Sequence, residues 1–209
     1  MEKLNMKKIK ILFLLALTPF LVSCTKVISN PDVQTLNQRA VELMNSGDVK
    51  GAIARLESIN DLNPNFPQNH YNLGVAYYKN EEYEKSVESL KLAISLDKNI
   101  ADAYYTIGLA YQDMAEKEIT KLDKPDNEKQ VNNQESSSSE ASENPEEKKL
   151  TKTEILALVV DNLKNSKDYY TQYTTLISNS DEKTKIEEEI KIIDDDIKKY
   201  EEKISSSNN

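Results

Sequence analysis

Cysteine, histidine and glycine are scarce in this chain, and their scarcity excludes several kinds of chemistry. Among 209 residues there are one cysteine, one histidine and four glycines. A single cysteine cannot form a disulfide within the chain, so packing alone must hold the fold together. The lone histidine, His70, has no second histidine or nearby cysteine with which to bind a metal, and we expect it to pack. No glycine-rich phosphate loop and no Gly-x-Ser-x-Gly pattern occurs. We therefore expect no enzyme, no metal site and no cofactor.

Positive charge is also in short supply. Lysine and arginine number 27 against 36 aspartates and glutamates, which gives a net charge of −9. Because nucleic-acid binding relies on lysine and arginine to neutralise phosphates, we do not expect a nucleic-acid partner. The acidic runs at 187–189 and 194–196 are expected to be solvated on a helix face. A weak cation site there is the alternative.

Only one long apolar run is present, and it lies near the amino terminus. Lys3, Lys7, Lys8 and Lys10 precede an apolar stretch over 11–22, which ends in Leu-Val-Ser-Cys at 21–24. A basic start, a short apolar core and small residues at the end are typical of a secretory signal. The run is shorter than the roughly 20 residues that a membrane-spanning helix needs.

The four residues 21–24 resemble the lipobox of bacterial lipoproteins. In that family the cysteine thiol is alkylated by diacylglycerol and the chain is cut before the cysteine. The resemblance implies a signal peptide over 1–23, lipidation at Cys24 and a lipidated tether over 24–32. An ordinary signal peptide with a chance cysteine is the alternative.

The lipobox resemblance also carries an expectation about location. Loss of residues 1–23 removes four lysines and one glutamate, so the net charge becomes −12 and acyl chains must supply the membrane attachment. Thr25 is not the aspartate that retains some lipoproteins in the inner membrane. The cell envelope, with the outer membrane favoured, is therefore the expected location.

A period of 34 residues relates 33–66, 67–100 and the segment that starts at residue 101. The matching positions are small or large in the same places: Ala40 and Leu43; Leu73, Gly74 and Tyr77; Ile107, Gly108 and Tyr111. This pattern resembles the tetratricopeptide repeat (TPR), a pair of antiparallel helices. Each hairpin has an apolar face that only a neighbouring hairpin can bury, so hairpins must stack. We predict an all-α solenoid of about three TPR-type hairpins, with repeats over 33–123. A generic helical bundle is the alternative.

The third repeat is predicted to be interrupted. Residues 124–149 contain four consecutive serines and almost no aliphatic side chains, so they cannot offset the entropy of ordering. We predict a disordered insertion there, followed by a helix over 150–179 that completes the third repeat. Within that helix, 157–163 resembles the middle of a repeat's second helix.

The segment 180–209 predicts a final charged helix. Its apolar residues follow a 4-3-4-3-4 spacing: Ile186, Ile190, Ile193, Ile197, Tyr200 and Ile204. Such a heptad stripe suits either a helix that caps the open end of the stack or a coiled coil with a second chain.

The TPR resemblance also implies a binding groove. In the family, the second, fifth, ninth, twelfth and thirteenth positions of each repeat face the groove. In this chain they are Gln34, Asn37, Val41, Met44 and Asn45; Gln68, Tyr71, Val75, Tyr78 and Lys79; and Asp102, Tyr105, Leu109, Gln112 and Asp113. Tyr71 and Tyr105 are one repeat apart and are expected to form a ladder that suits a peptide or helix. Packing of these tyrosines on the C-terminal helix is the alternative.

Relatives that clamp a chaperone's terminal carboxylates use lysine and asparagine at the fifth and ninth positions. This chain has Asn37, Tyr71 and Tyr105 at the fifth position and Val41, Val75 and Leu109 at the ninth, so the clamp is absent and no heat-shock cochaperone role is expected. The resulting hypothesis is a membrane-anchored envelope lipoprotein that acts as a protein-interaction scaffold or assembly factor for an envelope protein or peptide. The alternative is a structural or surface-displayed lipoprotein that self-associates through its C-terminal helix.

Overall fold

The computed structural model describes residues 32–122 and 150–207 as seven helices and no strands. The helices are α1 (Val33–Asn45), α2 (Val49–Leu62), α3 (Pro67–Lys79), α4 (Tyr83–Leu96), α5 (Ala101–Leu122), α6 (Lys152–Leu176) and α7 (Ser180–Ser207). The signal peptide, Cys24 and the insertion predicted at 124–149 lie outside the described residues. In the ranges that are described, no helix is long and apolar enough to cross a membrane.

Local sequence signals set the helix boundaries. The side chains of Asp32 and Asp48 accept backbone hydrogen bonds at the starts of α1 and α2, from Thr35 (2.7 Å) and Gly51 (2.9 Å). Thr151 and Glu154 form a reciprocal capping box at the start of α6.

The turns within the first two hairpins have the same backbone conformation at equivalent positions. Gly47 (φ 90°) and Glu81 (φ 60°) lie 34 residues apart, and both adopt the left-handed region. The sequence repeat is therefore also a conformational repeat, although glutamate is a less usual residue than glycine for this region.

Each helix packs against the next one along the chain, as in a solenoid. α1 also touches α3, and α3 touches α5, so the first helices of the three hairpins lie side by side. The apolar interior divides into three clusters, centred on Leu56, on Leu90 and on Tyr170. The all-α TPR-type solenoid predicted from the 34-residue period is confirmed.

The third hairpin consists of α5 and α6. Gly74 of α3 lies so close to Leu90 of α4 that a Cβ atom would collide with it, and Gly108 of α5 stands in the same relation to Tyr170 of α6. Four residues before each large partner is a fully buried serine, Ser86 or Ser166. α6 is thus the second helix of the third hairpin, with Tyr170 in the place of Leu90.

The register within α6 differs from the sequence-based one. The sequence suggests that 157–163 is the middle of the repeat's second helix, but Val159 and Leu163 belong to the apolar cluster that contains Ala115 and Ile119, on an extension of α5. The reason is length: α5 and α6 have 22 and 25 residues, whereas α1 to α4 have 13 or 14. The added turns pair with each other, and the repeat-like contacts follow nearer the end of α6.

The heptad stripe of α7 packs on α6 of the same chain. Ile193, Ile197 and Tyr200 are buried in the cluster that contains Leu156 and Tyr170. Lys164–Glu201 (2.7 Å) and Lys167–Asp194 (2.6 Å) join the two helices outside that apolar contact. The stripe therefore caps the stack, and the self-association considered for it would require α7 to leave α6.

Candidate protein-binding surface

The sequence-predicted groove residues lie on α1, α3 and α5, the helices that stand side by side. The exposure of their side chains differs between the three hairpins, because each hairpin packs against a different neighbour. In the first hairpin, most of the predicted site residues are buried or half-buried inside the stack. Those of the second hairpin are partly accessible, and those of the third are partly covered by α6 and α7.

In the first hairpin, Asn37 and Met44 are buried, with 4% and 7% of their surface exposed. Asn37 donates to the Asn69 Oδ1 at 2.9 Å and accepts a hydrogen bond from Asn72. Asn69 also donates to the Leu56 carbonyl at 3.0 Å. Asn37 therefore joins the first repeat to the second, and both the nitrogen and the oxygen of its amide are hydrogen-bonded in that contact.

Val41, the remaining site residue predicted in this hairpin, is half-buried and packs against the first apolar cluster. The exposed predicted positions here are Gln34 and Asn45, at the two ends of α1. The accessible part of the first hairpin's surface is consequently polar and small.

In the second hairpin, Tyr71, Val75 and Tyr78 are half-buried. The Tyr78 ring is 5.8 Å from that of Tyr83, and the Asp113 carboxylate lies near its hydroxyl. Burial and the Asp113 carboxylate raise the pKa of Tyr78 above its ordinary value. Burial, followed by the field of Asp102, also raises the pKa of Tyr71.

In the third hairpin, Tyr105 meets α6 rather than Tyr71. Its ring centroid is 5.7 Å from that of Tyr170 and 5.3 Å from that of Tyr173. Among the residues that the structure describes, no ring contact joins Tyr105 to Tyr71. The two additional rings offered by α6 hold Tyr105 instead, and Leu109 packs into the same cluster.

Gln112 links the third hairpin to the capping helix. It accepts a hydrogen bond from the Tyr170 hydroxyl at 2.6 Å and donates to Glu189 of α7 at 2.6 Å. α6 lies between α5 and α7, and this relay connects them by hydrogen bonds through Gln112. Burial, then the neighbouring Tyr105 and Glu189, raise the pKa of Tyr170.

The result is a surface of tyrosine rings bordered by carboxylates, which we call the tyrosine surface. Its accessible rings are those of the half-buried Tyr71, Tyr78 and Tyr105. Tyr170 and Tyr173 are buried, with 1% and 4% of their surface exposed, and support Tyr105 from α6. The carboxylates beside these rings are Asp102, Asp113, Glu182 and Glu189. The Tyr173 hydroxyl donates to Glu182 at 2.6 Å.

Sequence reasoning missed the residues that α6 and α7 add to the tyrosine surface. The available signal was Gly108, since a glycine at that repeat position requires a large partner on the second helix. Because 27 residues separate the two helices of the third hairpin in the sequence, the 34-residue spacing does not give the position of that partner.

His70 lies away from this surface. It is 5% exposed, and its Nε2 is 2.6 Å from the Pro64 carbonyl, so that nitrogen must carry the proton and donate. His70 packs against the loop before α3. Within 32–122 and 150–207 no group of three or more histidine, cysteine or carboxylate side chains is arranged to hold a metal.

Comparison with known proteins agrees with this architecture. Residues 76–114 match the TPR repeat family. No sequence among the curated proteins matches the chain.

Solved structures give the same fold. The first TPR of Spaghetti (RPAP3) bound to the HSP90 peptide SRMEEVD has a TM-score of 0.51 and 16% identity, over 79% of this chain and 92% of that one. The first TPR domain of human RPAP3 gives 0.52 and 15%, over 80% and 95%. The chain therefore contains TPR-type repeats.

Proposed function

We propose that this protein is a membrane-anchored scaffold or assembly factor of the cell envelope that binds a protein or peptide partner on its tyrosine surface. The observation that supports the proposal is a row of half-buried aromatic residues on first helices standing side by side. Tyrosine suits such a role, because its ring offers flat apolar area and its hydroxyl offers a hydrogen bond, at low cost in side-chain entropy.

The fold supports a peptide or a helix as the occupant. Stacked hairpins form an extended wall, and repeat proteins use such walls for binding. One similar structure, the first TPR of Spaghetti, carries a bound peptide. In this chain the wall is shortened, because Asn37 and Met44 are internal and α6 covers part of Tyr105. Tyr71, Val75 and Tyr78 are therefore the proposed centre of recognition.

Photo-crosslinking in cells tests the binding role. A benzophenone amino acid in place of Tyr71 should give an adduct with a specific partner. The same amino acid at Leu92, which is 47% exposed on α4, is the matched control and should not give that adduct. Equal adducts at both positions, or none at position 71, would contradict the proposal.

The membrane anchor is a separate part of the proposal. It is supported by the lysine-rich start, the apolar run and the Leu-Val-Ser-Cys motif at 21–24. Cys24→Ala should prevent lipidation and move the protein from the membrane fraction to the soluble fraction, whereas Ser23→Ala should not. Persistent membrane fractionation of the Cys24 variant would refute the anchor and leave the binding role untouched.

A further inference from the structure

One edge of the solenoid carries a row of exposed leucines. At this edge the second helix of each hairpin ends, and the first helix of each hairpin begins, including α1 at its cap Asp32. The last residue of every second helix is an exposed leucine: Leu62 of α2 (71% exposed), Leu96 of α4 (42%) and Leu176 of α6 (41%). We call this side of the stack the leucine edge.

Helix packing places the three leucines along the same edge. Residues 63–66 and 97–100 connect α2 to α3 and α4 to α5, and connections this short join antiparallel neighbours. α1, α3 and α5 lie side by side. In the third hairpin, the ring of Tyr173 is 5.3 Å from that of Tyr105, near the start of α5. The end of α6, at Leu176, therefore lies beside the beginning of α5.

The opposite edge is polar in the first two hairpins. Its turns, 45–48 and 79–82, have the sequences Asn-Ser-Gly-Asp and Lys-Asn-Glu-Glu, without an apolar side chain. In the third hairpin, where that edge borders the insertion, Leu150 is exposed. At the leucine edge, by contrast, a half-buried apolar side chain follows each leucine within four residues: Phe66, Ile100 and Ile177. The apolar character of the leucine edge is thus repeated in every hairpin.

The proposed lipid anchor joins the fold at this same edge. Residues 25–31 separate Cys24 from Asp32, where α1 begins. At about 3.3–3.6 Å per residue, such a connection reaches less than about 30 Å even when it is fully extended. The start of α1 is therefore held within that distance of the bilayer, and the leucine edge is the part of the stack next to it.

We propose that the leucine edge rests on the bilayer that the acyl chains of Cys24 enter, with Leu62, Leu96 and Leu176 inserted among the lipid headgroups. This inference rests on the proposed membrane anchor and adds the orientation of the fold on the membrane. Removal of apolar side chains from water favours the contact. The anchor keeps the edge at a high effective concentration near the lipid, so a few leucines suffice that would not hold the protein there alone.

The charges of the leucine edge favour a neutral lipid surface. The segments 61–66, 96–102 and 176–182, together with Asp32, contain six carboxylates and one ammonium, that of Lys98. Anionic headgroups would repel this edge, whereas zwitterionic headgroups present an outer ammonium that the carboxylates can meet. The apolar contact, and not charge, therefore supplies the attraction.

In this orientation the first helices stand upright on the membrane. α3 begins at the leucine edge, and its 13 residues rise about 20 Å from it. Tyr71, Val75 and Tyr78 follow one another along this helix. The proposed centre of recognition consequently faces along the bilayer surface, within reach of a partner at the same membrane.

Fluorescent labels on introduced cysteines test the orientation. The full lipidated chain is reconstituted in phosphatidylcholine vesicles, where the alkylated Cys24 does not react and an introduced cysteine is the one reactive thiol. An environment-sensitive dye is attached in the variants Leu62→Cys, Leu96→Cys and Leu176→Cys. The control is Ser46→Cys, at an exposed position in the first turn of the opposite edge.

Nitroxide-labelled phosphatidylcholine should quench the dye at all three leucine positions and leave the dye at position 46 unchanged. Added phosphatidylglycerol should not increase the quenching, because the edge is acidic. Quenching at position 62 alone would show a stack that hangs freely from its tether, and equal quenching at positions 46 and 96 would show no preferred edge. Either result overturns the proposal.

A matched pair of double variants tests whether the leucines themselves make the contact. Leu62→Asn/Leu96→Asn should weaken the quenching of a dye at position 176, because two of the three inserted side chains become polar. Leu150→Asn/Leu158→Asn, at two similarly exposed leucines away from the leucine edge, should leave that quenching unchanged. Equal effects of the two double variants would overturn the proposal.

Mass spectrometry of the same preparation separates this inference from the proposed anchor. A diacylglycerol-modified Cys24 without quenching at positions 96 and 176 overturns the orientation and leaves the anchor in place. An unmodified Cys24 removes the anchor and the orientation together. In both cases the binding role of the tyrosine surface is decided separately, by the crosslink at position 71.

Discussion

The ring of Tyr170 lies against Gly108, in the same relation as Leu90 to Gly74 one repeat earlier. The contact shows that a hairpin can keep its repeat geometry although its two helices are separated by a long insertion. It also explains the glycine, because an aromatic ring takes the space that a side chain at position 108 would need.

Gly108→Ala should therefore destabilise the protein. Alanine gains about 1 kcal/mol of helix propensity over glycine, whereas overpacking against a fixed ring costs about 1–3 kcal/mol, so we expect a net loss of about 1 kcal/mol. Urea unfolding followed by circular dichroism measures it. The double variant Gly108→Ala/Tyr170→Leu should recover part of the loss, because it recreates the alanine–leucine pair of Ala40 and Leu56. Additive effects would show that the two positions are not in contact.

Asn69→Ala should destabilise the joint between the first two repeats. Asn69 is fully buried, donates to the Leu56 carbonyl and to Asn60, and accepts from Asn37. Its removal leaves buried polar groups without partners, at a cost of about 1–3 kcal/mol in the free energy of unfolding. The exposed Asn45→Ala should change that free energy by less than about 0.5 kcal/mol. Similar effects of the two substitutions would argue against the network.

The neighbours Ile192 and Ile193 test how α7 packs. Ile193 is 2% exposed and Ile192 is 57% exposed. Ile193→Ala should lower the free energy of unfolding by about 2–5 kcal/mol, and Ile192→Ala by less than about 0.5 kcal/mol. If α7 instead paired with a second chain, Ile193→Ala would reduce the mass seen by sedimentation equilibrium, and the effect on stability would depend on protein concentration.

Alkaline pH should destabilise the fold through the buried tyrosines. The pKa of Tyr170 is raised in the folded state, so above about pH 10 the unfolded chain loses that proton while the folded chain keeps it. The folded state then binds more protons, and stability falls as pH rises, by at most about 1.4 kcal/mol per pH unit for this group.

Tyr170→Phe isolates that contribution. Unfolding free energies measured from pH 8 to pH 11 should fall less steeply in this variant than in the unchanged protein. Raised lysine pKa values, as at Lys91, contribute in the same direction and remain in both proteins. Parallel slopes would show that Tyr170 does not contribute.

Sequence periodicity predicted the stacked hairpins because each repeat has small and apolar residues at the positions where its two helices pack. Ala40, Gly74 and Gly108 recur at 34-residue spacing, and apolar residues surround them at helical spacing. His70, which was expected to pack because it has no second histidine or cysteine as a partner, is buried. The apolar spacing also offered two readings for the heptad stripe of α7, of which the structure shows packing on α6.

The binding surface was predicted less well, because position in a repeat does not say what covers a side chain. Asn37 occupies a groove position, yet its amide is buried and hydrogen-bonded to Asn69 of the next repeat. Tyr105 was expected to face Tyr71, but α6 approaches with Tyr170 and Tyr173. Those partners lie more than sixty residues away, beyond the reach of local pattern.

By itself, the sequence determined which segments are helical, how the hairpins repeat and where a lipid anchor is to be expected, since spacing and local motifs carry these properties. The tertiary structure decided the register of α6 against α5, the closure of the stack by α7 and the packing of Tyr105 against Tyr170 and Tyr173. These depend on distances between helices that are far apart in the chain, and such distances are set only when the hairpins pack together.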